Sequence, residues 1–187
     1  RYASLFELFD EAIDGVPPGA QGVVFTPWLR GNRSPFEDPA ARGMFFNLGL
    51  ETGKRAMIRA VAEGIALHGK WQLSAIRRKV PARGPVRFVG GGARSSAMAR
   101  IMADCLEEVV EPVVAPQNAG ALGAALLCAS GLGVIGSLEE ARQLVPVRES
   151  FEPDQERSKI YRDRFEVFRA LYLRNRESFH KLNGGRD

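Results

Sequence analysis

A chain of 187 residues with 45% hydrophobic and 26% charged side chains has the balance of a soluble globular protein and the length of one domain, which excludes a largely disordered or fibrous chain. Its net charge of +4 is modest, and in the Arg-rich tail acids such as Glu156, Asp163 and Glu166 alternate with the bases, as on a solvated helix face rather than a nucleic-acid stripe. Cys105 and Cys128 lack CxxC spacing and read as reduced core residues, His68 and His180 have no ligand partner at metal spacing, and no membrane-length apolar run or signal peptide is seen, so no metal site, no membrane and a cytoplasmic address are expected.

In chain order, Tyr2 to Ile13 carries Leu5, Phe6, Leu8, Phe9 and Ile13 at near-helical spacing and stops at Gly15-Val16-Pro17-Pro18-Gly19, which predicts a short helix and a loop. Gly22 to Thr26 is β-rich, and Pro27 to Gly43 is dense in Pro, Gly, Asn, Asp and Arg, a strand feeding a long ordered loop. From Lys54 to about Arg77 the apolar residues Met57, Ile58, Val61, Ile65, Leu73 and Ile76 predict a long helix with Thr52 as N-cap. Val86 to Val89 then reads as a strand, Gly90-Gly91-Gly92-Ala93 as a turn and Ser95 to Glu107 as a helix. Val109 to Val114 is a further strand, and Ala119 to Ala129 a small-residue helix ending at Gly131. The alternation of strand and helix predicts an α/β layer. In the tail, Tyr161, Phe165, Phe168, Tyr172, Phe179 and Leu182 form a stripe broken only at Asn175, either a helix docked on its own domain or a dimer seam.

A strand that runs into consecutive glycines and then a helix brings bare N–H groups and the positive end of a helix dipole to one point. Without Cβ atoms at Gly90, Gly91 and Gly92, a base, ribose or phosphate can approach the main chain, so the turn reads as a nucleotide contact; the same glycines also fit a mere tight strand-to-helix turn. The dinucleotide fingerprint GxGxxG is incomplete, because Ser95 stands where its third glycine belongs.

Val89-Gly90-Gly91-Gly92-Ala93-Arg94-Ser95-Ser96, followed by Ile101-Met102-Ala103-Asp104-Cys105-Leu106, resembles the adenosine motif of FGGY carbohydrate kinases. Three further blocks agree in order: Ala119 to Leu127 resembles the family's "ALGAALLA" helix, Pro27 to Pro35 with Asp38 to Gly43 resembles the xylulokinase-type "PYLxGERxPxxDPxARG" loop, and Arg59 to Gly64 fits the helix after it. The tail from Phe151 through Asp154 to Tyr161 is similar to the end of these enzymes, so the likeness spans residues 22 to 182. Asn32 stands where many members carry Glu, Ser96 where glycerol-kinase-like members carry Asn, and Gln117 and Asn118 where acids are common.

The resemblance implies an actin-like ATPase, ribonuclease H-like α/β fold, and a C-terminal domain of a two-domain kinase that lacks its first strands and its N-terminal substrate domain. It implies ATP and Mg²⁺ as cofactors and transfer of the γ-phosphate to a sugar hydroxyl, on a pentulose such as xylulose. In the family the catalytic Asp and both phosphate loops precede the region matched, so no catalytic residue is assigned and this chain alone is expected to be inactive. Asp38 is read as a turn former, Asp104 as part of the helix after the glycines, and Glu63 as a helix-face acid with Arg59 as partner. Gly91, Gly92, Ala93 and Ser96 are the residues expected to touch adenosine or its phosphates. Strands left without neighbours would expose an edge, which predicts a homodimer or larger self-association.

Overall fold

The structure is a computed structural model that describes residues 4–81 and 84–184, so Tyr2 lies outside the described residues. Helix α1 spans Leu5–Asp14 and starts where Ser4 Oγ accepts the Glu7 amide at 3.2 Å. Strand β1, Val24–Thr26, pairs antiparallel with β2, Met44–Phe46, in the register Val24 to Phe46 and Thr26 to Met44. Strand β2 was hidden from the sequence reading, because its three residues follow directly on the loop. That loop is ordered by its own side chains. Asn32 Nδ2 donates to the carbonyls of Ser34 and Phe36, while Asp38 Oδ1 accepts the amides of Ala40 and Ala41, the turn-forming role expected of an Asp before Pro.

Helix α2 covers Lys54–Arg77 as predicted, but its N-cap is Gly53 without a side-chain bond. Thr52 Oγ1 instead accepts the Gly49 amide at 2.9 Å, so the expected cap closes the preceding turn. The buried face of α2 is built from Ala56, Ala60, Ala62, Gly64 and Ala66, which lets the helix lie close on β1. A Cβ at Gly64 would fall 2.1 Å from the Phe25 carbonyl oxygen, so glycine is required there by packing.

The second layer is β3, Val86–Phe88, helix α3, Ser96–Leu106, and β4, Val110–Pro112, the α/β layer expected from the alternation, and in it β3 and β4 are parallel. Antiparallel bridges from Val110 to Phe151 and from Val113 to Val147 cover the outer side of β4. Helix α4, Ala119–Gly131, follows, then the short α5, Leu138–Gln143, and the long α6, Gln155–Asn183.

Tyr161, Phe165, Phe168, Tyr172 and Phe179 of α6 are all buried, which decides between the two readings of that stripe: it docks on its own domain. Tyr172 stacks on Phe36 with ring centroids 3.7 Å apart, and Trp28 meets Phe168 at 5.3 Å, so the tail helix and the 27–43 loop share one aromatic core. His68 lies beneath that loop, its Nδ1 accepting Trp28 Nε1–H at 3.4 Å, and burial holds its imidazole below the usual histidine range.

One expectation changes. Cys105 is a core residue, but Cys128 is exposed, because α4 buries none of its residues among the described ones. Apolar composition read as core here belongs to an uncovered helix. Glu63 is the acid that pairs with Arg59, as expected, and the pair is buried: its side chain is 5% exposed, and Oε1 accepts Arg59 Nε at 2.7 Å, the Gly19 amide at 2.9 Å and the Tyr161 hydroxyl at 3.0 Å.

Candidate functional site

Ligands of open α/β sheets gather at the carboxyl ends of parallel strands, where the loops leave room between neighbouring helices. Here β3 and β4 release two such loops side by side. After β3, Gly90 turns the chain at φ +87°, a 3₁₀ turn covers Gly91–Arg94, and Ser95 caps α3 by accepting the Met98 amide at 2.9 Å. After β4, Ala115 adopts φ +48°, and the 3₁₀ turn Pro116–Asn118 leads into α4, whose N-cap Asn118 makes no side-chain capping bond. The Gly90 amide donates to the Pro116 carbonyl at 2.9 Å and ties the loops together.

The glycines of this region separate into two kinds. Gly90 needs its positive φ, which other residues reach only with strain. Gly91 and Gly92 do not: neither has a positive φ, a Cβ at Gly91 would meet nothing within 4 Å, and one at Gly92 would meet only the Phe88 ring at 3.4 Å. Gly120 and Gly123 of α4 are equally open, with nothing within 4 Å. Neither backbone conformation nor packing among the described residues calls for glycine at these four positions, so the tight-turn reading explains Gly90 alone.

Of the expected contacts, Gly91 and Gly92 are exposed and donate to no carbonyl outside the turn. Ala93 is fully buried and its amide is used within the turn, on the Gly90 carbonyl at 3.2 Å, so neither its methyl nor its N–H faces outward. Ser96 is half-buried, and its amide donates to Asp10 Oδ2 at 3.2 Å. Asp10 also accepts the Ser95 hydroxyl. No local pattern marks Asp10, which lies more than eighty residues from its partners. Gln117 and Asn118 lie in the 3₁₀ turn of the second loop, and Gly120 follows in the first turn of α4.

The acids weighed as general bases are all engaged structurally. Asp38 is buried and accepts the Tyr172 hydroxyl at 3.0 Å besides two amides; Asp104 is buried and holds Arg157 Nε at 2.6 Å and the Asp154 amide at 2.8 Å. A cavity of about 380 Å³ opens between Ile13–Pro18 and α3, but its guanidiniums, Arg59, Arg100 and Arg157, are paired with Glu63, Asp14 and Asp104, and no residue of the glycine turn lines it. The described residues contain no group of three or more His, Cys, Asp or Glu that could hold a metal ion, and the turn itself presents N–H donors, which do not ligate a cation.

Comparison with known proteins identifies the family and the fold. The sequence model of the FGGY family of carbohydrate kinases, C-terminal domain, matches residues 3–132. A xylulose kinase of Staphylococcus epidermidis is 31% identical over 160 residues, which cover 85% of this chain and 32% of that protein. A gluconokinase of Bacillus licheniformis is 31% identical over 168 residues, covering 87% of the chain and 32% of the relative. Among solved structures, a ligand-bound xylulose kinase from Lactobacillus acidophilus superposes with a TM-score of 0.84 at 24% identity, over 94% of this chain and 36% of that one. That likeness establishes the fold, and with it the actin-like class. The chain spans about a third of the length of the curated relatives it matches.

Proposed function

Since this chain belongs to the FGGY family of carbohydrate kinases, within its C-terminal domain, we propose that it is the nucleotide-holding part of an enzyme that moves the γ-phosphate of ATP to a sugar hydroxyl, with a pentulose such as xylulose as acceptor. The observation that carries this is the pair of linked loops at the ends of β3 and β4, with glycines at 91, 92, 120 and 123 that the fold itself does not require. In this reading Gly91 and Gly92 let adenosine lie on the main chain, Ala93 contributes only its carbonyl side, and Ser96 reaches the ligand through its hydroxyl. Mg²⁺ belongs to the proposal as a companion of the ATP phosphates. A cytoplasmic setting, without membrane or nucleic-acid partners, goes with it.

No step of phosphoryl transfer is assigned to these residues. Such a transfer needs a carboxylate within reach of the sugar hydroxyl and groups that position the phosphates. Asp38, Glu63 and Asp104 are committed to internal contacts. The 187-residue chain should therefore release no ADP with any sugar. Fused behind the N-terminal two thirds of a xylulose kinase relative, it should release ADP on addition of xylulose, measured in a coupled assay. Gluconate is the second acceptor to assay, because gluconokinases match at the same identity as xylulose kinases. A chain that binds ADP but gives no turnover in such a fusion would instead be a nucleotide-binding module without catalysis.

The same proposal includes self-association. Among the described residues β3 pairs only with β4, and α4 leaves Leu127 61% exposed, with Leu132 and Val134 beyond it at 80% and 74%. An unpaired strand edge and an uncovered apolar helix each favour association. Sedimentation velocity should show dimers or larger species at high concentration, and a clean monomer would reject this part of the reading.

A further inference from the structure

Phe6, Asp10 and Asp14 recur at four-residue steps along α1, and each meets the segment after β3. The Phe6 ring lies 4.4 Å from the Arg94 guanidinium, and Asp14 holds Arg100 Nη2 at 2.9 Å from both carboxylate oxygens. Between them Asp10 accepts the Ser95 hydroxyl with one oxygen and the Ser96 amide, 3.2 Å away, with the other. Helix α3 carries no acid in its own first turn. Its positive end is therefore neutralised from outside, by a carboxylate delivered by α1.

We infer that Asp10 is a specificity-determining positioning residue of the glycine turn: seated on the first amide of α3, its carboxylate denies that helix end to phosphate, so that a nucleotide meets the turn through its uncharged adenosine. A helix N-terminus next to a glycine turn is otherwise a ready anion site. With Asp10 in place a phosphate there would face a like charge across one hydrogen-bond length, and the Ser96 amide would have no proton left to offer. The open amides of Gly91 and Gly92 remain, outside the reach of that carboxylate's bonds. The inference rests on the nucleotide reading above and adds to it the residue that keeps phosphate off the turn. Phe6 and Asp14 hold α1 in register on either side, which keeps Asp10 from swinging away.

The test follows the Gly91, Gly92 and Ser96 amides by ¹⁵N NMR while the chain is titrated with adenosine, ADP and inorganic phosphate. In the wild type, adenosine should move Gly91 and Gly92, and phosphate should leave Ser96 in place. Asp10→Asn keeps the shape and an acceptor oxygen but removes the charge; it should raise the ratio of ADP affinity to adenosine affinity about fivefold and let phosphate move Ser96. An unchanged ratio, or equal losses for both ligands, would give Asp10 a packing role only and overturn the inference. So would phosphate moving Ser96 in the wild type, a result that needs no variant to fold. Adenosine without effect on Gly91 and Gly92 removes the nucleotide reading and this inference with it; adenosine binding with an unchanged ratio removes the inference alone.

Discussion

Glu63→Ala should lower the unfolding free energy by about 3–5 kcal/mol, read as a fall in the urea midpoint, because it strands a guanidinium in the interior. Arg59 is 7% exposed; it gives Nε to Glu63, Nη1 to the carbonyls of Ile13 and Val16 at 3.0 and 2.8 Å, and Nη2 to the Tyr161 hydroxyl at 3.1 Å. Burial pushes the Glu63 carboxyl upward while the Arg59 charge and three hydrogen bonds pull it down, so the pair holds only as a complete set. One oxygen thus joins α2 to the Gly19 turn and to α6, and removing it leaves Gly19 N–H and Tyr161 O–H unpaired as well. Glu63→Gln retains an acceptor and should cost less. Replacing both partners with apolar residues, Arg59→Met with Glu63→Leu, should recover only part of the loss: desolvation of the ions disappears together with their attraction, but the Gly19 amide, the Tyr161 hydroxyl and the Ile13 and Val16 carbonyls stay unpaired. A loss below about 1 kcal/mol for Glu63→Ala would mean that the pair is solvated as a surface pair is.

What could be read from residues alone follows from how local the governing interaction is. The limits of α2 and the succession of β3, α3, β4 and α4 are written in short-range periodicity and in glycine positions, and the structure places them within a residue or two of the reading. The cap of α2 was misread because Thr52 can serve either the helix or the turn before it, and composition does not say which. Glu63 and Arg59 stand four apart, a spacing shared by surface pairs and buried ones. Only their partners, Gly19 and Tyr161, 44 and 98 residues from Glu63, reveal the burial. The site divides in the same way. Its glycine turn is a local signal, whereas Asp10 reaches it from α1 through contacts that no window of sequence contains. Helix α4 shows a further limit: small apolar residues mark a surface made for close approach, but not whether anything in the chain approaches it.

Gly91→Val should leave the unfolding free energy, read from urea melts, within about 0.5 kcal/mol of wild type and weaken ADP binding at least about tenfold. The two effects separate because the position is open on the protein's side and sensitive on the ligand's. Nothing lies within 4 Å of a Cβ at residue 91, and its φ is ordinary, so the added side chain strains neither fold nor backbone. It would project from the exposed turn into the space a ribose or base needs in order to rest on the main chain. Gly90→Val is the contrasting variant: at φ +87° it should lose stability as well as binding, and so cannot tell the two roles apart. If Gly91→Val folds as well as the wild type and still binds ADP equally, the open glycines do not mark the nucleotide contact. The paired loops at the ends of β3 and β4 would then have to be explained by a contact other than a nucleotide's.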